Sequence, residues 1–249
     1  MPALNRVTLA EQFRNLGLGA RDHVIIHSSL KAVGIVDGGP DAIIDALLFV
    51  IGPHGNLMFP TFGYSQPLPV PYYDPKATPC RTGIIPETAR KRRDAIRSMH
   101  PTHAVAVIGP AARRLTDGHL DCRAFGVGSP IDRLTDMGGK VLLLGVGHVA
   151  NSTIHVAEEH AGIPKPQKDI TAKVLTPDGR IIDHPLDSSP SRSLGFGKAE
   201  PILREADIIT DGVVGKAPCQ LMRGRAVIDR IAALLKDHPT TLQPDLKLS

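Results

Sequence analysis

Tryptophan is missing from this chain of 249 residues, and aromatic residues make up only 4% of it. With three tyrosines and six phenylalanines, the chain is too poor in rings to make its living by stacking on nucleobases. Cysteine is scarce as well. Cys80, Cys122 and Cys219 are odd in number and far apart, which fits reduced thiols of a cytosolic protein and neither a disulfide frame nor a paired-cysteine zinc site. No run of about 18 apolar residues occurs, and the N-terminal MPALNRVTLAEQFRNLGL has no apolar core of signal-peptide type. The expectation is a cytoplasmic protein with no membrane partner. A strong charge of one sign is also lacking. The net charge of +4, with eleven histidines uncounted, does not by itself call for nucleic acid but suits an anionic cofactor.

What is present is ordinary globular material. Hydrophobic content of 42% and charged content of 22% allow a sizeable core in one large α/β domain or two small ones. There is no internal repeat and no low-complexity linker. One domain over 1–249 with a small β insertion at about 168–186 is the simplest account.

The most informative stretch is Gly139 to Pro164, GGKVLLLGVGHVANSTIHVAEEHAGIP. Val141 to Leu144 suits a buried strand, Gly145 and Gly147 break it, and Asn151 or Ser152 can cap a helix from Thr153 to Ala161 that stops at Gly162 and Pro164. In open α/β sheets, sites form at this place, outside the carboxyl ends of strands. His155 falls in the first helical turn, and Glu158 and Glu159 follow at spacings that share its face. An imidazole paired with a carboxylate is held in one tautomer and made more basic, so it can take a proton from an amine or alcohol near neutral pH. The bland alternative is a histidine packed on a helix face beside solvated glutamates. A metal site of His148, His155 and Glu158 is disfavoured, because no His-Glu-x-x-His occurs and no thiol is near; no metal is expected.

Elsewhere, His23–His27 reads as a buried strand ending at Ser28-Ser29, hydroxyls that either bind a ligand or turn the chain. A helix from Asp41 to Ile51 and a strand at Leu57–Phe59 follow, the latter running into Pro60-Thr61-Phe62. Gly63 to Thr82 has no period and reads as a lid or binding loop. Pro86 to Arg93 is helical, Ala104 to Ile108 a strand, Pro110 to Leu115 and Ile131 to Met137 helices. Arg90 to Arg93 with Arg97 is either a solvated helix end or a neutraliser of phosphates. Gly126-Val127-Gly128-Ser129 can hold phosphate at a helix start, although it lacks a full dinucleotide fingerprint. Ile170–Leu175 and Arg180–His184 form a hairpin about Pro177-Asp178-Gly179. Ala199–Ala206 is a helix, Asp207–Thr210 and Val213-Val214 are strand-like, and Met222 to Asp237 is the last helix.

Taken together, His27-Ser28-Ser29-Leu30, Gly38-Gly39-Pro40, Gly52-Pro53-x-Gly55 to Pro60-Thr61-Phe62, Arg97-Ser98-x-His100-Pro101-Thr102-His103, Gly128-Ser129-Pro130 and Asn151-x-x-x-His155-x-x-Glu158 resemble the aminoglycoside 3-N-acetyltransferases. The resemblance runs over roughly residues 7 to 235. It implies a three-layer α/β/α sandwich around a mixed, mostly parallel sheet. It also implies acetyl-coenzyme A as co-substrate and direct transfer of acetyl to an amine, the 3-amine of an aminoglycoside antibiotic; a homodimer is compatible with it. Carried onto this chain, it makes His155 and Glu158 catalytic. It puts His27, Ser28, Ser29, Arg97, Ser98, His100, Thr102, His103, Gly128 and Ser129 along the coenzyme A groove, and Thr61, Asp74 and Asn151 at the substrate. Two positions depart from the family pattern: Ala104, where a serine is common, and Arg192-Ser193, where Cys-Ser is common. The rival functions are the same transfer to a non-aminoglycoside amine of a biosynthetic pathway, and a coenzyme A-binding module without catalysis.

Overall fold

Alternation along one strand sets the layers. In β1 (His23–Ser28), Val24 and Ile26 enter a cluster with Phe13, Leu47 and Phe59, whereas Ile25 enters another with Leu143, Ile154 and Phe196. Side chains of a strand point alternately to its two faces, and both faces of β1 are covered. The computed structural model describes residues 3–63, 72–164, 170–186 and 193–243.

In chain order the elements are α1 (Arg6–Asn15), β1, α2 (Leu30–Val33), α3 (Gly39–Ile51), β2 (Asn56–Pro60), β3 (Tyr72–Tyr73), α4 (Ile84–Lys91), β4 (Ala95–Arg97) and β5 (Val105–Ile108). Then follow α5 (Ala112–Thr116), α6 (Pro130–Asp136), β6 (Lys140–Leu144), α7 (Thr153–His160), β7 (Thr171–Leu175), β8 (Ile181–Pro185), α8 (Ala199–Glu205), β9 (Ile209–Val214), β10 (Ala217–Arg223) and α9 (Gly224–Asp237). The large sheet has the order β4-β5-β2-β1-β6-β10-β9. Its centre, β2-β1-β6, is parallel. The strands β4, β2, β1, β6 and β9 run one way, and β5 and β10 run the other. Residues of α1, α3 and α4 cover one face, and residues of α5 to α9 cover the other, which makes the three layers.

The strand β10 departs from the sequence reading, which leaves 217–221 unassigned and starts the last helix at Met222. Pro218 hides it, since proline lacks the N–H of a ladder residue. The structure tolerates it because β6 pairs only from Cys219 onward, at Leu144. Beyond that point the Pro218 carbonyl still accepts the Gly145 N–H at 2.9 Å. Two further strands lie in segments read as irregular: β4 on the sheet edge, and β3, which adds to the β7–β8 hairpin as a second, three-stranded sheet. Of the β insertion read at about 168–186, residues 168 and 169 lie outside the described residues.

Gly145 is where the site begins to be positioned. Its φ of 67° is left-handed, and a Cβ there would stand 2.4 Å from Cβ of Ala32 and 3.1 Å from that of Ala217. Only glycine lets β6 end so close to α2 and β10. The chain then turns through 148–150 into α7, whose Ile154, Val156 and Ala157 are fully buried. Each of the two larger side chains contributes roughly 1.5–3 kcal/mol by burial, so α7 is a fixed platform. It ends at Gly162, φ 72°, with Ile163 N–H bonded to the Glu158 carbonyl at 3.0 Å, a left-handed C-terminal cap.

Candidate active site

A cavity of about 510 Å³ opens at the carboxyl ends of β1, β2 and β6. Its walls come from His27 and Ser28 at the end of β1, Pro60 at the end of β2 and Phe62 just after it, Arg81 and Thr82 before α4, and His103, Phe125 and Phe196 from loops. Val149, Asn151 and Ser152 bring the α7 start into it, with His155. The parallel centre of the sheet aims all three strand ends at this place, as an α/β sheet does.

Asn151 shapes the helix start. It is fully buried; Oδ1 accepts the Thr153 N–H at 3.1 Å, and Nδ2 lies 3.3 Å from Nδ1 of His148. The cap is therefore Asn151, one residue ahead of Ser152, which makes no side-chain cap bond. One turn in, His155 Nδ1 lies 2.8 Å from Oε2 of Glu158. Both residues are nearly buried, at 9% and 3% exposure. A carboxylate only accepts, so Nδ1 carries the proton and Nε2 keeps its lone pair, an assignment from the bond network. The ring stands between two phenylalanines: Phe125 is stacked on it with centroids 4.8 Å apart, and Phe196 meets it edge-on at 4.6 Å. Phe125 also meets His103 at 4.8 Å, and His103 meets Phe62 at 4.9 Å. Half of the chain's six phenylalanines thus fix two histidine rings.

His27 is different. It is 5% exposed, its Nε2 has no hydrogen-bond partner, and burial lowers its pKa to about 3. It is a neutral ring at working pH. His148 is likewise held below the usual imidazole range by burial, and its Nε2 is unpartnered. Among the described residues, no group of three or more His, Cys, Asp or Glu is placed to hold a metal ion. No described helix is long and apolar enough to cross a membrane.

The family model for aminoglycoside 3-N-acetyltransferase matches residues 25–236. The chain belongs to that family. Aminoglycoside N(3)-acetyltransferase VII of Streptomyces paromomycinus is 34% identical over 91% of this chain and 89% of that one. Among solved structures, a histidine-to-alanine mutant of aminoglycoside acetyltransferase AAC(3)-IVa, in complex with a gentamicin, superposes with a TM-score of 0.87 at 29% identity, covering 97% of this chain and 92% of that one. AAC-IIIb in binary complex with CoASH gives 0.82 at 27% identity, covering 95% and 98%. The family is one of acyltransferases, and its mixed α/β architecture is the one described above.

Of the residues singled out from the sequence, the fold brings His27, Ser28, His103, Asn151 and His155 to one cavity, with Glu158 behind His155. The others lie off its described walls, and most are engaged in internal bonds. Ser29 Oγ caps α2, accepting the Ala32 N–H at 3.3 Å. Thr61 is fully buried, donating to the Ala104 carbonyl at 3.0 Å and accepting from Arg97 Nε at 3.1 Å. The same guanidinium donates to the carbonyls of Thr61, Thr78 and Pro75 at 2.7, 2.6 and 3.2 Å and lies 5.3 Å above the Tyr73 ring. Arg97 is thus an organiser of the 72–82 loop. Ser98 Oγ accepts the Val105 N–H and lies 2.8 Å from His119 Nδ1. His100 Nδ1 accepts the N–H groups of Thr102 and His103, while Thr102 Oγ1 lies 2.8 Å from His103 Nδ1. Gly128 donates to Asp132 Oδ2 at 2.8 Å, and Ser129 is fully buried before α6. Asp74 Oδ1 accepts from Lys76 and Ala77 N–H, closing its own turn. Arg192 lies outside the described residues. Sequence reasoning passed over Arg81, Thr82 and Phe125. The signal for the first two was an Arg-Thr-Gly ahead of a helix, and for Phe125 its place before the Gly-x-Gly-Ser run.

Proposed function

We propose that this chain transfers acetyl from acetyl-coenzyme A directly to the 3-amino group of an aminoglycoside, with His155 as general base and Glu158 as its orienting partner. The observation that carries this reading is the 2.8 Å bond between His155 Nδ1 and Glu158 Oε2 on the wall of the cavity at the strand ends. Coenzyme A suits the residues present: His27 and Ser28 line the cleft and carry buried polar atoms without a partner, and a relative of the same fold holds coenzyme A. That another relative holds a gentamicin supports an aminoglycoside acceptor.

In the reaction, His155 Nε2 takes a proton from the attacking nitrogen as the N–C bond forms. The thioester C–S bond breaks, and the imidazolium returns that proton to the leaving thiolate. Glu158 stabilises the imidazolium between the two transfers. Phe125 and Phe196 hold the ring in one orientation, so the lone pair is aimed before the amine arrives. General-base catalysis of this kind contributes about 10²–10⁴-fold. The test is release of free thiol from acetyl-coenzyme A against a panel of aminoglycosides and small amines. His155→Ala is expected to abolish turnover with coenzyme A affinity kept within a few-fold. Retained turnover would place the base elsewhere, and turnover with small amines alone would move the acceptor out of the antibiotics.

A further inference from the structure

Strand register lays a polar row across the sheet beneath the start of α7. His27 on β1 and Gln220 on β10 both stand opposite Leu143 of β6, and Gln220 also stands opposite Asp211 of β9. Residues in register on neighbouring strands share a face. Leu143 shows which face this is, because it shares a buried cluster with Ile154 and Val156 of α7. Leucine apart, the row is polar. His148, in the turn from β6 to α7, is 1% exposed beside it. Burial holds its ring below the usual imidazole range against the pull of Glu200 and Gln220. Gln220 is anchored in turn: its Nε2 donates to Glu200 Oε1 at 2.8 Å, and Arg204 donates to Glu200 at 2.8 Å and to Asp211 at 2.6 Å.

The bonds at this turn allow one arrangement of donors. Asn151 Oδ1 accepts the Thr153 N–H, so the amide NH2 is the group 3.3 Å from His148 Nδ1. An NH2 only donates. Nδ1 therefore carries a lone pair, and the proton of the neutral ring sits on Nε2. Gln220 Oε1, an acceptor buried without a partner among the described residues, matches that N–H in kind. The reverse tautomer would set an Nδ1 proton against the NH2 of Asn151. If the amide then turned over, its NH2 would meet the Thr153 N–H, and the cap of α7 would be lost. His148 and His155 thus carry their protons on opposite nitrogens.

We propose that His148 is a positioning residue for acetyl transfer: its Nδ1 lone pair fixes the Asn151 amide and, through that cap, the first turn of α7 from which His155 reaches the cavity. This rests on the reading of His155 as the base. His148 is off the described cavity walls and Asn151 is on them, so the effect passes through Asn151. A displacement of about 1 Å in such a group costs on the order of 100-fold in rate.

The experiment compares His148→Asn with His148→Gln, since each keeps one half of the ring. The Asn carbonyl oxygen takes the place of Nδ1, and the Gln amide takes that of Nε2. Steady-state kinetics with acetyl-coenzyme A and an aminoglycoside are measured beside hydrogen exchange of the Thr153 amide. His148→Gln is expected to lower kcat by about 10–100-fold, with both KM values within a few-fold and faster exchange at Thr153. His148→Asn should hold kcat within a few-fold of the parent and keep Thr153 protected. A ring that only fills space would give equal losses in the two variants. Equal losses, no loss in either, or the reverse order would each overturn the assignment. Nitrogen NMR of the histidine rings, with the His148 signal identified by its absence in the variants, reads the tautomer directly; a proton on Nδ1 would also overturn it. If the parent shows no turnover, or His155→Ala keeps it, the base reading falls and the catalytic part of this assignment with it. Unchanged Thr153 exchange in His148→Gln, with His155 still essential, overturns this assignment alone.

Discussion

Buried histidines in this molecule have two kinds of surroundings. His155 on α7 has a carboxylate at 2.8 Å. His100 and His119, tilted against each other with ring centroids 4.8 Å apart, are bonded to the hydroxyls of Thr102 and Ser98 and to backbone groups, with His103 at 5.9 Å and His184 at 6.1 Å from His100. Burial pushes His119 down to about 4 and His100 well below the ordinary range. Those rings are packing material with polar edges. Burial alone holds a histidine neutral, whereas a bonded carboxylate is what the base proposed at His155 requires.

Removing His155 is the strongest way to break that comparison. His155→Ala is expected to lower kcat by about 10²–10⁴-fold, read by thiol release at saturating substrates. Glu158→Gln comes next. It keeps a hydrogen-bond partner but no charge, so a loss of roughly 10–100-fold, about 1.4–2.7 kcal/mol in the barrier, is expected; an unchanged kcat would make Glu158 a helix charge and nothing more. His119→Ala should act on stability instead. It strips partners from Ser98 Oγ and the Ala124 carbonyl, at a cost of about 1–3 kcal/mol in chemical denaturation, while kcat stays within a few-fold.

The smallest effect per pH step is graded and separates the groups along another axis. His27 and His119 stay neutral in the folded chain down to about 3 and 4, whereas in the unfolded chain they take up protons below about 6.5. Between those limits the unfolded state binds more protons, so stability rises with pH across the window and is flat above it. The facing Arg133 and His184 add to the penalty on a charged His119. The melting temperature should fall steadily from pH 6.5 toward 4. A melting temperature level over that range would mean that these rings are already charged when folded.

How far the sequence went can be judged at particular residues. The strand, glycine turn and helix of 139–164 were legible because each signal there is local: an apolar run, two glycines, a capping Asn151 and an i,i+3 pair. The aromatic enclosure of His155 was not. Phe125 and Phe196 lie about 70 residues apart in the chain, and nothing in their spacing announces that they meet at one ring. Nor could periodicity find β10, because Pro218 reads as a breaker unless the register against β6 is known. The segment 97–103 taught the most. Its polar residues read as ligand contacts, yet Arg97, Ser98 and His100 turn their bonding groups inward to hold loops, since a buried polar group must find a partner wherever it lies.

The hold of Arg97 on the 72–82 loop has a consequence for how the enzyme can change. Its guanidinium grips the backbone carbonyls of Pro75 and Thr78, and carbonyls are the same whatever side chain follows. Substitutions at neighbours such as Lys76 or Ala77 leave the grip intact. The loop is therefore a frame on which surface chemistry can be rewritten one residue at a time, with the scaffold beneath it indifferent to the text.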